Sequence, residues 1–492
     1  MTAAASMLFS WADVEPLGDL RRLHRVLRYL PDQPVIDALK ARRGRGRDDY
    51  PVEAMWRALV AGVVFQHDSI ASLVRELRRN PALLEVCGFA ALPRQGRTVH
   101  TLKRDAPTGQ ARVVSLPSPA FDNVPDSCNF SRFLASVAQL EDKRGLIRGM
   151  TDALRSKLMA ALGDFGRHLG YDGKALDSHS TGQANRKTGK ASDPDADWGH
   201  HETRGVDNNG KAWSKVKSWF GYELHLIADS AYEIPVWFDV TKASASEVRR
   251  LSGAVDELFA QEPELAERCA DFSADKGLDS GALKAKLWDR YRVRPLIDTR
   301  TLWREEKEMP GFDPSQPVLR PLHPERVDTI LYSEKGEVLC RDPASKEQRL
   351  MAFTGFESDR GTLKYRCPAA AYGFACKGRA QCHRGAGVKD SAYGRVVRIA
   401  LKDHDRRIFT PTPWGSPSWR RGYQRRTALE RINSRLDLSF GFEHHFIRGA
   451  AKMKAHMGLA VGVMMALALG AALDGRPQRM RSLVNPPFDD PG

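Results

Sequence analysis

Near residue 165 the chain changes its hydrophobic period, and that change limits what it can fold into. Before it, apolar residues recur at helical spacing, as in Leu17, Leu20, Leu23, Leu27 and Leu30. After it, strand-like segments alternate with helices. "HLGYDGKAL", "KSWFGYELHLIAD", "EIPVWFDVTKA", "CADFSAD" and "RVRPLID" read as strands, while 247–259 and "SGALKAKLWDR" read as helices. A helical module followed by an α/β sheet satisfies both patterns.

Within the first part, the Pro31 and Pro34 pair breaks the helical pattern and Pro51 opens a second helix. Ser69 is placed to cap a third and Pro81 to open a fourth. Residues 93–128 read as an irregular polar loop, and 129–137 return to helix. In the second part, three strands in a meander followed by strand–helix–strand is the order of an RNase H-like fold. Residues 180–212 are polar and read as a loop, and 230–233 as a turn. Residues 300–410 interrupt the pattern with short strands such as "DTILYS", "KGEVLC" and "GTLKYRC", a β-rich insertion. The expected organisation is a helical N-terminal domain at 1–140 and an RNase H-like core at 141–299. The insertion follows at 300–412, the core resumes at 413–475, and a disordered tail covers 476–492. The most apolar run, 457–473, reads as a buried helix rather than a membrane span.

Three carboxylates stand in distinctive settings. Asp172 and Asp275 lie at strand ends, in "LGYDGKAL" and "FSADKGLDS", and Glu430 lies in the helix "YQRRTALERINSRLD". Hard divalent cations take oxygen ligands, and two such ions can clamp both oxygens of an in-line phosphoryl displacement. The set therefore fits Mg²⁺, with Mn²⁺ as a substitute. Asp177 and Asp279 are the rival carboxylates. On the helix, Leu429, Ile432 and Leu436 form a core stripe, and Tyr423, Arg426, Glu430, Asn433 and Asp437 form a second stripe. Arg426 could pair with Glu430 or contact phosphate, and phosphate is the preferred reading, with Tyr423 and Asn433 as further DNA contacts beside Arg420, Arg421 and Arg425.

Among 492 residues the formal net charge is +15, which suits a phosphate-rich partner. Arg42, Arg43, Arg45 and Arg47 form one basic run. Arg420, Arg421, Arg425, Arg426, Arg431 and Arg435 crowd the Glu430 helix, with Trp414, Trp419 and Tyr423 between them, a pattern suited to tracking and stacking on DNA. His200, His201 and Glu202 read as solvated loop residues. Of seven cysteines, Cys340, Cys367, Cys376 and Cys382 fall close together. They read either as free thiols or as ligands of a structural Zn²⁺. No secretory signal is visible at the start, and a cytoplasmic, nucleoid-associated location is expected.

Tyr423, Arg426 and Glu430 are spaced as Tyr, two residues, Arg, three residues, Glu. With "YDG" and "ADKG" upstream, the chain resembles the DDE transposases of bacterial insertion sequences over residues 10–475. The family signature ends in Lys where this chain has Asp437. The resemblance implies Asp172, Asp275 and Glu430 as the catalytic metal ligands. It also implies binding of terminal inverted repeats by the N-terminal domain, metal-dependent strand cleavage, and transfer of a 3′-hydroxyl to target DNA, with a homodimer holding the two ends. The alternatives are a nuclease of the same fold or a domesticated DNA-binding protein.

Overall fold

The computed structural model describes residues 20–45, 50–90, 97–104, 111–118, 122–183, 191–206, 212–307, 309, 313, 316–324, 329–384 and 393–481. The N-terminal helices are α1 (Leu20–Tyr29), α2 (Gln33–Arg43), α3 (Val52–Val64), α4 (Ile70–Arg79) and α5 (Pro81–Cys87). The Ser69 hydroxyl accepts from the Ser72 N–H at 3.2 Å and starts α4, as its position predicts. Where the sequence suggests an irregular loop, strands β1 (Arg97–Arg104) and β2 (Ala111–Ser118) pair as an antiparallel hairpin. Helices α6 (Ser127–Arg144) and α7 (Leu146–Ala161) lead into the sheet.

The main sheet contains β3 (His168–Asp177), β4 (Asp197–Val206), β5 (Ala212–Asp229), β6 (Ile234–Lys242), β7 (Asp271–Ala274) and β8 (Arg294–Ile297), with α8 (Glu247–Gln261) between β6 and β7. β5 is long enough to serve several partners. Its first half pairs β4, and its second half lies between β3 and β6, all antiparallel. β3 pairs β7 in parallel, and β7 pairs β8 in parallel. The 230–233 turn is held by Asp229, whose carboxylate accepts from the N–H groups of Ala231 and Tyr232 at 2.8 and 2.7 Å. β4 occupies part of the expected 180–212 loop. His200, His201 and Glu202 are therefore strand residues, with His200 Nδ1 2.9 Å from the Ser218 hydroxyl. The stretch 213–218 of β5 that pairs them is exposed on both faces. Without a buried face there is no apolar alternation to reveal a strand.

The insertion forms two small antiparallel sheets. One holds β9 (Leu319–Pro321), β10 (Ile330–Ser333), β11 (Val338–Arg341) and β12 (Gln348–Leu350). The other holds β13 (Ala352–Glu357), β14 (Thr362–Arg366) and β15 (Val396–Ala400). It has its own apolar cluster, including Trp303, Ile330, Leu363, Ile399 and Phe409. A far larger cluster is continuous from Leu20 to Met480, so the N-terminal helices and the main sheet share one core. Three final helices return to that core: α9 (Pro417–Gln424), α10 (Thr427–Phe440) and α11 (Ala450–Leu473). α11 is long and apolar enough to cross a membrane, but 78% of its apolar window is buried inside the fold, against α1, α6, α7 and β6. Of the expected tail, 476–481 stays ordered against the core, with Met480 buried, and 482–492 lie outside the described residues.

Candidate active site

The site is built on the contact of α10 with β3. Leu429, Ile432 and Leu436 are fully buried, so this stripe fixes the rotation of α10. Gly170 lets the helix approach: a Cβ there would lie 2.5 Å from Leu429 Cδ1. Four residues of helix rise about 6 Å and two residues of strand about 6.6 Å, so contacts on the facing sides can repeat in step. They do. Leu429 lies over Gly170, the Asn433 amide donates to Asp172 Oδ2 at 2.8 Å, and Lys174 Nζ donates to Asp437 Oδ2 at 2.6 Å.

Asp275 follows β7 directly and accepts from the Gly277 N–H at 3.5 Å. Ser273 pairs with Gly170, so continuing the register by two residues brings Asp275 level with Asp172, on a neighbouring strand line about 5 Å away. The Asp172 carboxyl is pushed up to about 6. Burial is the first cause, Arg426 opposes it, and the charges of Asp275, Glu247 and Glu430 add to it. The structure thus brings Asp172, Asp275 and Glu430 into one electrostatic neighbourhood from two strands and a helix.

Arg426 stands among them. Its guanidinium pairs with Glu430 at 2.9 Å, lies 5.9 Å from the centre of the Tyr423 ring, and feels the charges of Asp275 and Asp172 as well. A tight turn at Arg425 and Arg426 separates α9 from α10, with i→i+3 bonds from the N–H groups of Arg425, Arg426, Ala428 and Leu429. Tyr423 therefore belongs to the helix before the one that carries Glu430. The continuous stripe expected from sequence spans two helices.

Among the described residues, no three His, Cys, Asp or Glu side chains close on a point that could hold a metal ion as they stand. The donor chemistry nonetheless suits a hard cation. Asn433 Oδ1, beside Asp172, is buried without a hydrogen-bond partner. Glu430 is 54% exposed and free to turn once it leaves Arg426.

The rival carboxylates have other surroundings. Asp177 is exposed at the far end of β3, near His445. Asp279 is buried against Lys284 at 2.7 Å. Of the basic residues around the helix, Arg420 and Arg421 are exposed, while Arg425 approaches Asp271 at 3.8 Å. Arg431 and Arg435 grip the buried Glu233 at the β5–β6 turn, Arg431 at 2.8 Å. Trp419 is buried and stacks on Tyr423 at 4.6 Å, so the facing sides of these two rings are already covered. Arg47 lies outside the described residues.

Glu223 and Glu247 escape a reading of the sequence. They hydrogen-bond to each other on the opposite face of β3, where Gly173 leaves room: a Cβ there would lie 2.8 Å from Glu223 Oε1. The Glu223 carboxyl is pushed up to about 9 by burial, then by that hydrogen bond and the Glu247 charge. The one sequence signal was the glycine after Asp172, which also fits a simple turn. Away from the main sheet, Cys340, Cys367, Cys376 and Cys382 line a single cavity of about 290 Å³ in the insertion. Burial first, and then the three neighbouring cysteines, push the Cys340 thiol up to about 12. Cys376 Sγ donates to Asp342 at 3.2 Å.

Residues 10–101 match the family model described as a transposase domain (DUF772). Among solved structures, a piggyBac transposase in a synaptic complex with hairpin DNA is similar at 11% identity and a TM-score of 0.39, over 94% of this chain and 79% of that one. No curated protein matches the chain.

Proposed function

We propose that the chain is a DDE transposase of an insertion sequence, built on an RNase H-like sheet. The observation that carries this reading is the gathering of Asp172, Asp275 and Glu430 around Arg426 from β3, the end of β7 and α10. The transposase-domain match at 10–101 supports it from the other end of the chain. In this reading two copies hold the terminal inverted repeats of one element, cleave the DNA backbone, and join the exposed 3′-hydroxyl to target DNA, in the cytoplasm on the chromosome.

Asp172, Asp275 and Glu430 would hold Mg²⁺ or Mn²⁺. When bound, such ions stabilise charge on the phosphate and activate the attacking oxygen. Asn433 orients Asp172 through its amide, and its own buried Oδ1 is left without a partner. Arg426 neutralises the carboxylates in the free protein. Once Glu430 turns away, its planar guanidinium is free to take a phosphate through two parallel hydrogen bonds. Tyr423, its ring 5.9 Å from that guanidinium, is a further DNA contact, and Arg420, Arg421 and Arg425 line the approach of the DNA.

The test is Mg²⁺-dependent cleavage and joining of DNA that carries the element's ends. Asp172→Ala, Asp275→Ala and Glu430→Ala each abolish both steps while end binding persists. Cleavage without joining would make the protein a nuclease. Binding by the native chain with neither reaction would make it a domesticated DNA-binding protein. Full activity in Asp172→Ala would refute the assignment.

The cysteine cavity supports a second, separate feature, a structural Zn²⁺. Four thiols from different segments facing one cavity have the donor set of a closed zinc site, with Zn–S near 2.3 Å once the side chains turn inward. Metal analysis of the purified chain should find one zinc, lost in Cys367→Ser. Absence of zinc from the native chain would leave four ordinary thiols.

A further inference from the structure

We infer that Lys174 is a DNA-phosphate contact held in reserve by Asp437. The inference rests on the proposed reaction and adds a residue that sequence reasoning did not single out. Lys174 lies two residues beyond Asp172 on the same face of β3, so its backbone is only about 6.6 Å farther along the strand. Any phosphate that reaches Asp172 brings a neighbouring phosphate into the range of a lysine side chain.

Four of the six neighbouring arginines have an acidic partner in the free protein, while Arg420 and Arg421 are exposed. Arg426 pairs with Glu430, Arg425 approaches Asp271, and Arg431 and Arg435 hold Glu233. The Lys174 ammonium has three donors, and among the described residues one hydrogen bond is made, to Asp437 Oδ2 at 2.6 Å. Both side chains remain partly open to solvent, 17% for Lys174 and 27% for Asp437. In a part-buried pair of this kind the cost of desolvating both charges offsets much of their attraction. The consequence of the pair is local: Asp437 cancels a positive charge two strand residues from Asp172 until a phosphate competes for it. Asp437 is thus a positioning residue that acts through Lys174.

The experiment measures binding of the full chain to a fluorescein-labelled duplex of arbitrary sequence, without divalent metal, over a series of salt concentrations. Native protein is compared with Lys174→Gln, Asp437→Asn and the double variant. One phosphate contact contributes about 0.9 to the slope of log affinity against log salt. Lys174→Gln should reduce the slope by about that amount and weaken binding on the order of threefold at moderate salt. Asp437→Asn should tighten binding, and the gain should vanish in the double variant, because it acts only by releasing Lys174. A tether that merely joined β3 to α10 would move the melting temperature in both single variants and leave the slope alone. An unchanged slope in Lys174→Gln overturns the inference, as does a gain from Asp437→Asn that persists without Lys174. Neither result touches cleavage and joining by the native chain, so the proposed function stands or falls separately. Failure of the native chain to bind any duplex overturns both.

Discussion

The helix–strand contact that assembles the site can be tested by trading volume across it. Leu429 is fully buried, and its Cδ1 sits 2.5 Å from where a Cβ on Gly170 would be. Leu429→Ala removes three buried carbons and should cost about 2–5 kcal/mol. Gly170→Ala overpacks the same gap, also meeting Ser273 Oγ at 3.0 Å, and should cost about 1–3 kcal/mol. In the double variant the new methyl occupies space that the leucine vacated. The two costs should then sum to about 1–2 kcal/mol more than the double variant shows, within the range for contacting residues. Urea unfolding followed by tryptophan fluorescence gives the three stabilities. Mg²⁺-dependent cleavage should follow the same order, because Glu430 and Asn433 ride on the turn that Leu429 anchors. Additivity to within about 0.5 kcal/mol would refute the register derived for α10 on β3.

Two further outcomes are expected. The Glu223 carboxyl is raised from 4.5 to about 9, so its folded form favours the proton, and stability is lost as pH rises across that window. Glu223→Gln should flatten the fall of melting temperature between pH 5 and 9, and an unchanged profile would place the raised group elsewhere. Glu233 is buried under Arg431 and Arg435. Glu233→Ala should cost about 3 kcal/mol, the low end for breaking a buried pair, because the half-exposed Arg431 can re-solvate while Arg435 cannot. A loss under 1 kcal/mol in chemical denaturation would show that these arginines are free for DNA.

Much of this protein was legible in its sequence because the information was local. Helical periodicity marked α1, prolines marked the starts of α3 and α5, a Ser hydroxyl marked the start of α4, and period-two apolar runs marked β3, the second half of β5 and β6, whereas α2 was missed because Pro31 and Pro34 read as a break. The carboxylates at Asp172, Asp275 and Glu430 were visible because each sits in a short, distinctive run. β4 was missed because it is a polar strand, and the β1–β2 hairpin because its segment looked like an irregular polar loop. The break between α9 and α10 was missed because i→i+3 and i→i+4 turns share one apolar pattern.

Partnership between distant residues was decided only by the tertiary structure. Nothing in the residue order says that Asp437 meets Lys174, that Asn433 meets Asp172, or that Glu223 and Glu247 share the gap behind Gly173. The first two pairings follow from how closely a buried leucine stripe lets α10 approach β3, and the third from how α8 packs on the other face of the sheet. The approach of α10 to β3 depends on packing between segments far apart in the chain, with Asp172 and Asn433 separated by 261 positions. Sequence supplied the chemical groups, and packing set which of them face one another.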